Sequence, residues 1–276
     1  MRKIVADSSA DTLILTGAEF VSVPLTIRTD EKEYVDDATL NVAEMTEDLL
    51  RYSGKSSTAC PGVGDWLAAF GKAEEVFCVT ITSNRSGSHN AALIAAQEYE
   101  EAHPDRRVFV LDSLSTGPEM RLLLERLQAN VAADMAFDTI CDDLRGYSTK
   151  TGLLFVLESM KNLANNGRVS RLAATAAGLL GIRAVGKASD VGTLEMLEKC
   201  RGSKKALAAV VQNMEDLGYA GGAVRISHVG NEVAAQSLRD ALLELHPDAE
   251  IQVYSARGLC SFYAEKGGLL IGFEKG

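Results

Sequence analysis

Val76-Phe77-Cys78-Val79-Thr80-Ile81 runs directly into Thr82-Ser83-Asn84-Arg85-Ser86-Gly87-Ser88. The first six residues are apolar or β-branched without alternation, the pattern of a short strand buried on both faces. The next seven are mostly small and polar, and a helical pattern follows over 89–102. His103-Pro104-Asp105 stops that helix, because proline cannot continue it. Arg107–Leu111 then reads as a second strand ending at Asp112-Ser113. Strand, helix and strand in this order make one βαβ unit, which implies a parallel sheet.

The same order recurs towards the C-terminus. Ala223–Ser227 reads as a strand, Asn231–Leu245 as a helix, His246-Pro247-Asp248 as its stop and Ile251–Tyr254 as a strand. Two α/β layers of similar wiring are expected. Between them, helical patterns fall over 134–147, 170–180, 192–200 and 203–217. Thr149-Lys150-Thr151-Gly152 is polar and precedes the strand-like Leu153-Leu154-Phe155-Val156, so two α/β domains are expected, at 1–150 and 151–276. The first should carry a mostly parallel sheet flanked by helices.

Composition narrows the function. The net charge is −10, which disfavours nucleic acid and anionic membrane surfaces as partners, since both demand clustered Lys and Arg. Five cysteines with no Cys-x-x-Cys spacing argue against a disulfide framework or a zinc site, and suit a reducing cytoplasm. No stretch approaches the ~20 apolar residues of a membrane span. The four histidines form no metal pattern. No P-loop, Gly-x-Ser-x-Gly or His-Glu-x-x-His occurs, which shifts weight from an enzyme to a binder.

The 82–88 loop is the main candidate site. Ligands of open α/β sheets bind where strands end and helices begin, and a first helical turn offers free N–H groups to an anion. Ser86 and Ser88 add hydroxyls, and Gly87 allows close approach. Ser and Asn are also ordinary helix caps, so this loop can be read as a cap alone. Ser57-Thr58-Ala59-Cys60-Pro61-Gly62 is a second small-polar loop before a helix. Thr58 could donate to a ligand or simply make a turn, and Cys60 has no His or Asp tied to it by spacing. Arg168, in Asn165-Asn166-Gly167-Arg168-Val169-Ser170, could pair with a carboxylate or phosphate or could be a solvated turn residue.

Taken in order, these stretches resemble the DegV family, whose members bind fatty acids. Ile4-Val5-Ala6-Asp7-Ser8-Ser9-Ala10-Asp11 looks like its opening strand and Asp-Ser-x-x-Asp. Val23-Pro24-Leu25 looks like its Val-Pro-Leu, and Tyr34-Val35-Asp36-Asp37 is similar to its Tyr-x-Asp turn. Thr58-Ala59-Cys60-Pro61 falls where the family carries Thr-Ser-Gln-Pro, and 83–88 where it carries Ser-x-x-Ser-Gly-Thr. Asn166-Gly167-Arg168-Val169-Ser170 and Arg201-Gly202-Ser203-Lys204-Lys205-Ala206 resemble its Gly-Gly-Arg-Ile-Ser and Arg-Gly-x-Lys-Lys-Ala segments. The resemblance implies an acyl chain buried between or beneath two α/β domains. It implies no metal or cofactor, a long-chain fatty acid as ligand, and a fatty acid kinase as partner that phosphorylates the bound carboxylate. Thr58 and Ser86 would hold that carboxylate, with the Gly87 N–H nearby. Arg168, Ser83 and Tyr263 would be auxiliary residues at the head group. The family's His-Thr-Gly-Pro-Gly segment is replaced here by Tyr263-Ala264-Glu265-Lys266-Gly267, which puts the hand-off to the kinase in question more than lipid binding. A lipid-responsive sensor, or a phosphocarrier or transferase reacting through His89 or Cys60, is the alternative.

Overall fold

The computed structural model describes residues 1–170 and 181–276. In chain order, the first part holds β1 (Arg2–Asp7), β2 (Phe20–Val23), β3 (Thr26–Thr29), β4 (Glu33–Val35), α1 (Val42–Arg51), β5 (Ser56–Ala59), α2 (Val63–Phe70), β6 (Glu75–Thr80), α3 (Ser88–Ala102), β7 (Arg107–Asp112), α4 (Gly117–Ala132) and α5 (Phe137–Ser148). The second holds β8 (Thr151–Leu157), α6 (Lys161–Asn165), β9 (Ile182–Ala188), β10 (Leu194–Arg201), α7 (Ser203–Asp216), β11 (Val224–His228), α8 (Glu232–Leu245), β12 (Ile251–Ser255), α9 (Gly258–Ala264) and β13 (Leu269–Glu274). The strands make three sheets: β2-β1-β6-β7, all parallel; β4-β3-β5, antiparallel; and the mixed sheet β10-β9-β8-β13-β11-β12.

The unbroken apolar run at β6 has the expected cause. Phe77 and Val79 face α4 and α5, with the Phe77 and Phe137 rings 4.8 Å apart, while Val76 and Cys78 face α2 and α3. A strand covered on both faces has no polar position to alternate with. β8 repeats the arrangement. Leu154 and Val156 pack with α7 and α8, whereas Leu153, Phe155 and Leu157 point to the opposite face. The βαβ unit β11–α8–β12 is parallel, as its wiring implied.

One element departs from expectation. The stretch 192–200 reads as a helix but forms β10, antiparallel to β9. A bulge lies between Met196 and Glu198. Leu194 and Met196 therefore face one core cluster, and Leu197 and Cys200 the other. An extra residue breaks the period of two and leaves apolar spacings that imitate a helix. The helix expected over 170–180 falls almost wholly outside the described residues.

Helix α4 joins the large sheets. Its first turn lies on β13 at Gly272, where a Cβ would stand 2.5 Å from the Glu119 nitrogen and 2.5 Å from the Pro118 carbonyl carbon. The buried Glu119 accepts a 2.7 Å hydrogen bond from the Thr151 hydroxyl of β8. Backbone this close cannot yield as a side chain would. Gly272→Ala is therefore expected to destabilise the fold by about 1–3 kcal/mol through overpacking. Chemical denaturation would show this as a lower midpoint with native secondary structure retained, and an unchanged midpoint would show that α4 is free to shift.

Candidate functional site

A cavity of about 1030 Å³, its open mouth included, lies where the loops after β5 and β6 meet the second large sheet. Its walls are apolar: Leu153, Phe155 and Leu157 of β8, Leu194 of β10, Leu270 of β13, and Ile81 and Leu259. Polar side chains from several segments also line it. They include Thr58 on β5, Arg85 and Ser86 on the β6–α3 turn, Arg168 after α6 and Tyr263 on α9, with Gly87 beside them; Thr82, Ser115, Thr116 and Thr193 add further hydroxyls. No Asp or Glu is among the described lining residues.

The polar side chains are arranged as donors. Thr58 Oγ1 and Tyr263 Oη lie 2.8 Å apart, joining residues 205 positions apart in the chain. Ser86 Oγ accepts from the Ser88 N–H at 3.3 Å, so the Ser86 hydroxyl proton remains free to donate. Gly87 is exposed and caps α3, and a Cβ there would meet Cys60 Sγ at 3.2 Å. Bare backbone at the mouth thus lets an anion reach the first turn of α3, where free N–H groups and the helix dipole favour negative charge. Burial raises the Tyr263 phenol above its usual pKa, so it stays a neutral donor at neutral pH.

Three buried aspartates hold these elements in place. Asp7, ending β1, accepts from the Ile81 N–H at 3.0 Å and the Ser88 hydroxyl at 2.6 Å, which braces both ends of the β6–α3 turn. Asp36 accepts from the Gly258 and Leu259 N–H groups at 3.0 and 2.9 Å, and Asp11 from the Arg257 N–H at 2.9 Å. Successive amides at the start of α9 are thereby satisfied, as a helix N-terminus in a buried setting requires. Helix α9 is buried almost all round: Leu259, Cys260 and Phe262 enter three different core clusters, and Tyr263 projects to Thr58.

The site residues read from the sequence fare differently. Thr58, Ser86, Gly87, Arg168 and Tyr263 all line the cavity. Thr58 sits on a strand rather than in the expected loop, because Ser56–Ala59 pairs with β3. Ser83 is not a lining residue. Its backbone N–H donates to both Asp112 oxygens at 3.1 and 3.2 Å, which ties this part of the turn to the end of β7. Of the groups considered for reaction, His89 Nδ1 is 3.1 Å from Thr80 Oγ1, and Cys60 lies at the cavity. Among the described residues no group of His, Cys, Asp or Glu could hold a metal ion, and no helix is long and apolar enough to cross a membrane. Sequence reasoning missed Arg85, whose only signal was a cation inside a small-polar loop at a strand end. It also missed the turn between β9 and β10, which covers that loop: Thr82 Oγ1 donates to Gly192 O at 2.9 Å, and Asn84 Nδ2 donates to Val191 O.

A family model described as "Uncharacterised protein, DegV family" matches residues 1–275. The chain belongs to the DegV family. A DegV domain-containing protein of Streptococcus pneumoniae strain R6 is 45% identical over 276 residues, covering 99% of this chain and 98% of that protein. Two solved DegV-type structures superimpose with a TM-score of 0.98 at 45% identity. One is a DegV family protein from Eubacterium eligens loaded with heptadecanoic acid, with 100% of both chains covered. The other is the Streptococcus pneumoniae Fatty Acid Kinase (Fak) B3 protein loaded with linoleic acid, covering 100% of this chain and 99% of that one.

The buried DegV aspartates should leave a signature in the pH dependence of stability. Burial pushes the Asp11 carboxyl up to about 7, with the nearby Asp36 charge acting in the same direction and the Arg257 N–H opposing it. The folded state then binds more protons than the unfolded state, in which Asp11 titrates near ~3.9. The Asp11 contribution is full below ~pH 4, falls as pH rises to about 7, and is level above that. Asp11→Asn keeps an acceptor for Arg257 but does not titrate. Its Tm relative to wild type should therefore rise between pH 5 and pH 7.5 and then level off; a pH-independent difference would show that Asp11 does not titrate in this range.

Proposed function

We propose that this chain binds a long-chain fatty acid in the cavity and presents its carboxylate to a fatty acid kinase. The observation that carries this reading is an apolar cavity whose polar groups are donors or cations, with no acidic lining residue. An acyl chain suits the walls, at roughly 0.8 kcal/mol per buried CH₂. A buried carboxylate is expensive without hydrogen bonds and needs the donors that Ser86, Gly87, Thr58 and Tyr263 can supply. The support from relatives is that two proteins at 45% identity hold heptadecanoic and linoleic acid, one of them being a fatty acid kinase B protein.

On this reading residues 1–150 contribute the carboxylate donors and 151–276 most of the acyl wall. Thr58 and Ser86 contact the carboxylate, the Gly87 N–H lies beside it, and Arg168 and Tyr263 flank it. The chain is a carrier acting in the cytoplasm, and chemistry belongs to the partner. A carboxylate oxygen attacks the γ-phosphorus of ATP, the new O–P bond forms, and ADP leaves with the electrons of the broken P–O bond.

Organic extraction and mass spectrometry of native protein should find a stoichiometric long-chain fatty acid. Failure to find one, or to bind one added back, would end the proposal. Ser86→Ala and Thr58→Ala each remove a donor to a charged group, about 1.5–3 kcal/mol or roughly ten- to hundred-fold in affinity. Unchanged affinity in both variants would place the head group elsewhere.

Tyr263 generates a separate expectation. A phenol hydrogen-bonded to Thr58 can donate but cannot gain positive charge near neutral pH as imidazole does. Lipid-loaded protein supplied with ATP and a kinase from a DegV system whose carrier has the histidine should give acyl phosphate more slowly than that kinase's own carrier. Equal turnover would show that the phenol serves as well.

A further inference from the structure

Arg85 lines the cavity within the turn that carries Ser86 and Gly87, yet it has no evident structural task. Its side chain is half-buried, its Nε is shut off from solvent without a hydrogen-bond partner, and it forms no ion pair with any described residue. Arg225, by contrast, is buried and held by both Glu125 and Glu250. A guanidinium kept partly from water without an acceptor costs stability. In a chain of net charge −10, the cavity nonetheless carries two arginines, Arg85 and Arg168, and no described acidic residue.

Resting on the lipid-carrier reading above, we propose that Arg85 is the cationic contact that holds a phosphorylated head group, giving the cavity a preference for an acyl phosphate dianion over a monoanionic head. A carboxylate brings one negative charge and two acceptor oxygens. Phosphorylation adds three acceptor oxygens and raises the charge to roughly −1.5 to −2 at neutral pH. The Thr58, Ser86 and Gly87 donors meet the needs of the carboxylate. A second charge calls for a further cation, and the fork of a guanidinium binds phosphate oxygens in pairs. Arg85 is fixed beside Ser86 in a turn braced by Asp7 and covered by the β9–β10 turn, so it stands ready when the phosphoryl group arrives. The carrier then retains the product as well as the substrate, which protects a reactive mixed anhydride from water.

The test compares two ligands of one length and nearly one size at pH 8: tetradecyl phosphate, a dianion, and its monomethyl ester, a monoanion. Affinities are measured for wild type, Arg85→Leu and Arg85→Lys, with tetradecanoic acid as the reference. Wild type should bind the dianion about ten-fold or more tighter than the ester, from one added charged hydrogen bond. Arg85→Leu should weaken all three ligands but the dianion most, reducing that ratio at least about five-fold, and Arg85→Lys should keep most of it. The same ratio in wild type and Arg85→Leu, or in Arg85→Leu and Arg85→Lys, overturns the assignment while tight binding of tetradecanoic acid leaves the carrier reading standing. Wild type that binds neither the acid nor the phosphate overturns both.

Discussion

Three carboxylates withdrawn from water, Asp7, Asp11 and Asp36, set the geometry on which the cavity depends. Burial raises the pKa of each, and each is compensated by N–H or O–H donors brought from distant parts of the chain. The donors are the loops that carry the polar end of the cavity. Asp7 holds the turn bearing Arg85, Ser86 and Gly87, while Asp11 and Asp36 hold the start of α9, which bears Tyr263. A buried acid without such donors would be far more costly than one with them. These loops therefore cannot move independently of the first strand and the small β3–β4–β5 sheet.

The apolar part of the cavity follows from the same economy of space. β8 is covered on both faces, by α7 and α8 on one side and by the cavity wall on the other. Phe155 and its neighbours on that wall pack into a core cluster with Leu163, Cys260 and Leu270, and the same side chains also border the cavity. Natural interiors leave few voids larger than a water molecule, so a lined space of this size supports the proposal that a ligand fills it. The charge distribution agrees, because an acidic protein has placed two arginines and no described acid around it.

Much of this was legible in the residues. The βαβ units at 76–111 and 223–254 announced themselves through apolar runs and Pro-containing helix stops, and the small-polar loop after β6 marked the end of the sheet at which the cavity lies. β10 was not legible, since its bulge destroyed the alternation that identifies a strand. Thr58 was placed in a loop because its neighbours Ser56, Ser57 and Ala59 carry little strand signal and Pro61-Gly62 follows; pairing with β3 decided its state. Ser83 was expected among the auxiliary residues at the head group, but it does not line the cavity, and its backbone N–H is bonded to Asp112. Arg85 was passed over because nothing in a linear pattern shows whether an arginine has a carboxylate beside it.

The sequence by itself determined the α/β class, the position of the cavity-lining loops and the absence of recognisable nucleophile or metal motifs. These depend on local periodicity and on which residue types are present at all. Only the tertiary structure decided that Thr58 meets Tyr263 across 205 positions, that Asp11 and Asp36 cap α9, and that Arg85 faces a cavity without a partner. Such contacts are set by how sheets and helices pack in three dimensions. Hydrogen bonds and charge pairs act over a few ångströms of space, whatever the separation along the chain.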